Sequence, residues 1–298
     1  MAARILDGKQ IAQDMRRELA LRVQRMASRG VVPGLGVLLV GDNPASRSYV
    51  TAKERACSET GIYSRETLLP AGATLGEILG VVRQYNEDPR LHGILVQLPL
   101  PSPAMEQEVL EAVDPDKDVD GFHPVNVGRM MLGLPAFLPC TPQGVLHILK
   151  RSGIPTSGAH AVIIGRSNIV GRPLAHLLSR KSELGNATVT LCHTGTRDVR
   201  HFTRQADIVI AAAGRPRTVT GDMVRPGATV IDVGVNRVPD PSHARGFRLV
   251  GDTDFEALRD VAGAITPVPG GVGPMTIAML LHNTVWSAAR LAGWPDEG

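Results

Sequence analysis

Aromatic residues are scarce in this chain, at 3% of 298 residues, and cysteine is scarcer, with three. So few Trp, Tyr and Phe side chains exclude an extended base-stacking surface. Charge is nearly balanced, with 32 basic and 29 acidic residues giving +3, and no basic run stands out. That argues against a nucleic-acid groove and leaves room for an anionic small molecule. Cys57, Cys140 and Cys192 lie far apart, one of them must stay unpaired, and no CxxC or Cys/His cluster occurs. The expectation is a reduced, cytoplasmic protein without a bound metal. No apolar run approaches a membrane span, and the opening MAARILDGKQ lacks a signal-peptide core, so no membrane association is expected.

What is present is the balance of a globular protein, 43% hydrophobic and 20% charged, at a length that suits two domains. Short β-branched or aliphatic runs alternate with longer helical stretches, the pattern of parallel α/β architecture. Helices are predicted over residues 8–28, from Pro44 through Tyr49 and Lys53, and over 75–86, 104–113, 141–151 and 275–291. Strands are predicted over 34–40, 61–69, 93–98, 159–164, 188–192, 208–212, 229–233 and 264–266. The economical fold is two α/β domains flanking a cleft, the second a Rossmann-like parallel sheet. Residues 1–140 plus 275–298 form the first domain and 141–274 the second.

Within the second predicted helix, Tyr49, Lys53 and Cys57 are spaced four apart and share one face. A phenol and an amine in one pocket can exchange protons if burial pulls the lysine pKa toward neutrality. An isolated YxxxK is more often a solvated lysine beside a half-buried tyrosine, and Cys57 reads as a small core residue. The same spacing marks short-chain dehydrogenases, but there the nucleotide turn comes first, whereas here Gly165 follows Tyr49 by more than a hundred residues. Asp116-x-Asp118-x-Asp120-Gly121 imitates the start of a calcium loop, yet its twelfth position is Val127 rather than Glu. Asp116 and Asp118 are read as solvated loop residues.

Residues 161–173 read as strand, Gly turn and helix start, a junction whose N–H groups can meet a pyrophosphate. The run departs from GxGxxG, with Ser167 and Val170 at the second and third glycine positions. Residues 188–193 form the next strand, and no Asp or Glu stands at its end to hold a ribose 2′-hydroxyl. His193, Thr194 and Arg197 stand there, with Arg166 nearby, which favours NADP over NAD.

Several long motifs then occur in one order: GDNPASRSYVTAK (41–53), GILVQLPLP (93–101), DKDVDGFHP (116–124), GRSNIVGRP (165–173), IDVGVNR (231–237) and TPVPGGVGPMTIAML (266–280). Through nearly its whole length the chain resembles the bifunctional methylenetetrahydrofolate dehydrogenase/methenyltetrahydrofolate cyclohydrolase enzymes of one-carbon metabolism. The resemblance implies oxidation of 5,10-methylenetetrahydrofolate with NADP+, then hydrolysis of the methenyl cation to 10-formyltetrahydrofolate. It implies Lys53 as the acid/base of the hydrolytic step, Tyr49 orienting substrate and lysine, Gln97 setting the lysine's protonation, and Asp120 holding the pterin's amino-pyrimidine edge. Leu98, Gly273 and Pro274 would line the folate pocket, and Gly165, Arg166, Ser167, Thr194 and Val235 match dinucleotide positions. A homodimer is likewise implied. Thr194 stands where many relatives carry Ser, and Gly195 where a basic residue is often seen. Two other readings stand beside this one: a dehydrogenase without the hydrolase, and a nucleotide-binding α/β module without chemistry.

Overall fold

The structure, a computed structural model, describes residues 2–243 and 246–294. The chain opens with β1 (Arg4–Ile5), α1 (Gly8–Ala27), β2 (Gly34–Val40), α2 (Pro44–Thr60), β3 (Tyr63–Leu69), α3 (Leu75–Glu87) and β4 (Gly93–Val96). Then come α4 (Glu106–Glu111), α5 (Pro124–Met131), α6 (Cys140–Arg151), β5 (His160–Ile164), α7 (Gly171–Ser179), β6 (Thr188–Cys192) and α8 (Val199–Thr203). The remainder is β7 (Ile208–Ala211), β8 (Thr229–Asp232), β9 (Asn236–Pro239), β10 (Phe247–Val250), α9 (Phe255–Arg259), β11 (Ala264–Ile265) and α10 (Val272–Leu291).

Two compact α/β units result. One comprises Gln13–Cys140 and the chain from Ile277 onward; the other comprises the chain up to Ala12 and Thr141–Thr276. The first is built on a parallel sheet in the order β3-β2-β4. Every residue of β2 is buried, as a central strand covered on both faces requires. A parallel bridge from Ile94 to Asp118 lays the segment around Asp118 alongside β4. The ends of α2, β4 and this segment carry the chemistry considered below.

The other unit holds a six-stranded sheet in the order β1-β11-β8-β7-β5-β6, with parallel pairing throughout. β5 pairs with β6 on one side and β7 on the other, so the connections reverse direction at β5. Open parallel sheets bind ligands beyond the carboxyl ends of their strands at such a point. β9 and β10 form a separate antiparallel ribbon.

The structure departs from the predicted elements in ways that have physical reasons. Residues 2–12 belong with the six-stranded sheet rather than with the first domain, because β1 pairs with β11. Helix α5 lies in a segment for which no helix or strand is predicted. Its start is fixed by polar groups: Pro124 occupies the first turn and the His123 side chain accepts from the Val125 N–H. Asp118 is not a solvated loop residue. It is 4% exposed and accepts from the Phe122 and His123 N–H groups and the Asn126 amide, so it holds the approach to α5. Burial pushes its carboxyl pKa up to about 6. Finally, α10 begins at Val272, so Gly273 and Pro274 sit in its first turn, where a proline's missing N–H is no loss.

Candidate active site

Helix α2 begins at Pro44 and carries Tyr49, Lys53 and Cys57 along one side. Tyr49 remains partly exposed, and partial burial raises its hydroxyl pKa. Lys53, one turn on, is only 7% exposed, although an ammonium is among the most expensive groups to desolvate. Its Nζ donates to Gln97 Oε1 at 2.8 Å. Gln97 follows directly after β4, and its Nε2 donates to the Leu98 carbonyl at 2.7 Å. That second bond fixes the amide's orientation, leaving the oxygen to face the lysine.

Burial pulls the Lys53 pKa down, and this outweighs the opposing influence of Asp120, Cys140 and Cys57. Asp120 thus lies near enough to act electrostatically on Lys53. Desolvation raises its own pKa, while Lys53 and a hydrogen bond with Cys140 lower it. Cys140, fully buried at the start of α6, also donates to the Val119 carbonyl at 3.3 Å. Asn283 of α10 donates to the Val119 carbonyl at 2.8 Å and the Leu138 carbonyl at 3.2 Å, and so anchors both segments that flank Asp120. Sequence reasoning missed Cys140 and Asn283 as neighbours of the site, because nothing local in the chain marks contacts across more than a hundred residues. Cys57 is fully buried with its thiol pushed up to about 12, which is the behaviour of a core residue rather than a nucleophile.

These groups form one constellation within one unit: Tyr49, Lys53, Gln97, Leu98 and Asp120. Gly273 and Pro274 belong to the other unit, together with Gly165, Arg166, Ser167, Thr194 and Val235.

In that other unit, β5 ends at Ile164 and Gly165 turns the chain with φ +127°. A Cβ there would lie 2.0 Å from the Ala212 carbonyl oxygen, and one on Gly171 would lie 2.0 Å from the Gly165 carbonyl oxygen. Only glycines let β5, β7 and the start of α7 approach this closely. Ser167 does what a missing glycine could not: its Oγ accepts from the Val170 N–H at 3.2 Å. Arg166 and Ser167 are exposed at this turn. Thr194 is exposed in the turn after β6, which the Gly195 N–H to His193 Nδ1 bond closes at 3.0 Å. A tight turn opening onto a helix, an exposed arginine and a hydroxyl where an acid would otherwise stand fit a dinucleotide with a 2′-phosphate. Val235, 44% exposed, follows β8 on the opposite side of β5 from Thr194.

Comparison with known proteins agrees with this arrangement. Residues 139–292 match the family model described as tetrahydrofolate dehydrogenase/cyclohydrolase, NAD(P)-binding domain, and residues 6–120 match the family's catalytic domain. The bifunctional protein FolD of Syntrophus aciditrophicus (strain SB) is 56% identical over 98% of this chain and 100% of its own length. The crystal structure of the bifunctional methylenetetrahydrofolate dehydrogenase/cyclohydrolase of Campylobacter jejuni superposes with a TM-score of 0.91 at 49% identity, covering 97% of this chain and 100% of that one. The Trypanosoma brucei enzyme, solved with NADP cofactor and an inhibitor, gives 0.93 at 38% identity, covering 98% and 99%. The chain therefore belongs to the tetrahydrofolate dehydrogenase/cyclohydrolase family and is an enzyme with that family's two activities.

Proposed function

We propose that this enzyme oxidises 5,10-methylenetetrahydrofolate with NADP+ and hydrolyses the resulting methenyl cation at a Lys53/Tyr49/Gln97 site. The observation that carries the hydrolytic half is the buried Lys53 Nζ, held by Gln97 Oε1 at 2.8 Å with its pKa pulled down by desolvation. Gly165, Arg166, Ser167, Thr194 and Val235 would hold the coenzyme, which when bound supplies the acceptor for a hydride from the methylene bridge. For that step the chain's residues provide orientation, since the folate nitrogens themselves stabilise the positive charge that develops.

The methenyl carbon is already electrophilic, so hydrolysis needs a base near neutrality. Lysine at its ordinary pKa near 10.4 is almost wholly protonated and cannot serve. Desolvation favours the neutral amine, and the neutral Gln97 amide positions it without adding a charge that would favour the ammonium. Lys53 Nζ takes a proton from water as the oxygen bonds to the methenyl carbon. It then returns a proton to N5 as the C–N5 bond breaks, and the hydroxyl proton leaves to solvent as the formyl carbonyl forms. Each turnover thus consumes one water and releases one proton. Tyr49, one turn from Lys53, orients substrate and lysine, and Asp120 accepts from the pterin N–H groups with Leu98 lining the same pocket. Assembly as a homodimer in the cytoplasm belongs to the same reading, and light scattering on the purified enzyme tests the dimer.

The deciding experiment supplies 5,10-methylenetetrahydrofolate with NADP+ or NAD+ and follows reduced coenzyme, methenyl and 10-formyl products together. The wild-type enzyme should make NADPH and 10-formyltetrahydrofolate, the latter faster than methenyl hydrolyses unaided. Lys53→Met should still make NADPH while methenyl accumulates. A Lys53→Met enzyme that hydrolyses methenyl at the wild-type rate would remove Lys53 from the mechanism.

A further inference from the structure

Two buried carboxylates that the mechanism above does not use stand at the carboxyl end of the six-stranded sheet. Asp252 is fully buried and Asp232 is 2% exposed. Asp232, the last residue of β8, accepts from the Gly234 N–H at 2.9 Å, the Asp252 N–H at 2.9 Å, the Thr253 N–H at 2.9 Å and the Thr253 hydroxyl at 2.6 Å. Asp252 follows β10, and its Oδ2 accepts from the Ala213 and Gly214 N–H groups at 2.6 and 2.7 Å. Its Oδ1 accepts from Asn236 Nδ2 at 2.8 Å.

The backbone has made room for both. A Cβ on Gly234 would lie 2.1 Å from Asp252 Oδ1, and one on Gly251 would lie 1.9 Å from Asp232 Oδ2. Burying two acids side by side is unfavourable, and burial together with the Asp252 charge raises the Asp232 pKa against the N–H groups that lower it. What the arrangement gains is geometry. Asp252 ties the end of β7 to the chain after β8, and Asp232 ties that chain to the residues after β10. Val235 lies between Gly234, held by Asp232, and Asn236, held by Asp252. Because each peptide unit is planar, turning the Ala213 and Gly214 N–H groups toward Asp252 turns the Ala212 and Ala213 carbonyls the opposite way. The Ala212 carbonyl is the one packed against Gly165.

In a parallel sheet whose order reverses at β5, a dinucleotide extends from its adenosine end at β6 across the Gly turn to its nicotinamide end at β7 and β8. From this placement we infer that Asp252 is a positioning residue for the nicotinamide half of the coenzyme. It holds the Ala213–Gly214 and Val235 backbone in the shape that half must meet. The inference rests on the NADP assignment made above.

Calorimetric titration of the full-length enzyme with NADPH and, separately, with adenosine 2′,5′-bisphosphate tests it. The second ligand carries the adenosine end alone. Asp252→Asn should weaken NADPH at least tenfold while leaving the bisphosphate within twofold, since its amide cannot accept from all three donors. Should that variant not fold, Asn236→Ala, which removes a single donor, carries the test with a threefold or greater loss for NADPH only. Equal weakening of both ligands would make Asp252 a support of the whole unit, and unchanged NADPH affinity would leave it no role. Either result overturns the inference while the wild-type titration still supports NADP. A wild-type enzyme that binds no NADPH would instead overturn the coenzyme assignment and the inference with it.

Discussion

At the scale of single residues, the lysine's protonation is set by what surrounds it, and two substitutions should move it in opposite directions. Gln97→Glu places a carboxylate at the position now within 2.8 Å of Nζ, stabilising the ammonium and raising the Lys53 pKa. Asp120→Asn removes the largest influence that opposes the downward shift, so the pKa should fall further. With neutral Lys53 as the base, hydrolysis by the wild type rises with pH through that pKa. The ascending limb should move to higher pH in Gln97→Glu, with neutral-pH turnover down by up to about tenfold for each pKa unit gained. It should move to lower pH in Asp120→Asn, even if substrate KM rises. Profiles of kcat for methenyl hydrolysis, corrected for the unaided reaction, would show this; limbs that stay in place would remove Lys53 as the titrating base. Only part of this constellation was legible in the chain. The Tyr49/Lys53/Cys57 face follows from helical spacing. The meeting of Lys53 with Gln97, 44 positions away, came from the resemblance, because no local pattern encodes it. Asp118 and Asp120 looked alike in a polar run, and only the tertiary fold, by laying that run along β4, buries the first and brings the second toward Lys53.

At the scale of elements, α3 shows how polar side chains finish what apolar spacing begins. Its first turn carries a reciprocal box, with Thr74 accepting from the Glu77 N–H and Glu77 accepting from the Thr74 N–H. At its other end, buried Lys117 donates to the carbonyls of Tyr85, Asn86 and Asp88 at 3.3, 2.7 and 3.0 Å. These are among the acceptors that the end of a helix leaves without partners. Lys117→Met keeps most of the stem but strands them, which should cost about 2–3 kcal/mol. A lower urea midpoint with an unchanged slope would show that cost. No change in midpoint would mean that water replaces the ammonium there. The legible elements were those with strong periodicity or continuous burial, β2 and β6 among them, whose bounds agree with the prediction. The missed ones lack such a signal: β1 is two residues long, the ribbon of β9 and β10 keeps one side in solvent, and α5 depends on Asp118 and His123 rather than on an apolar stripe.

At the scale of the whole molecule, activity and stability should oppose each other at Lys53. Its folded-state pKa lies below that of an unfolded chain, so between the two values the unfolded chain binds more protons, and stability rises with pH across that window. Compared at low pH, below that window, the penalty for the buried ammonium is felt in full. Lys53→Met removes it, while leaving Gln97 Oε1 without its donor takes back about 1 kcal/mol. Exchanging a whole buried ion pair for apolar groups is often neutral or stabilising by about 1–4 kcal/mol, but here Asp120 stays behind without its counter-charge, so a smaller net gain of about 1 kcal/mol is expected. In a unit of this size that corresponds to a melting temperature higher by roughly 2–4 °C. The gain should shrink when the pair is compared at pH 9.5, because the wild type recovers stability there and the methionine variant has nothing to recover. NADPH should raise the melting of both proteins alike, by about 2.7 kcal/mol at a hundred times its dissociation constant, since the residues proposed to hold it lie in the other compact unit. A methionine variant that melts lower than wild type at both pH values would show that the fold does not hold Lys53 against its own stability. The depressed base proposed for hydrolysis would then have no source.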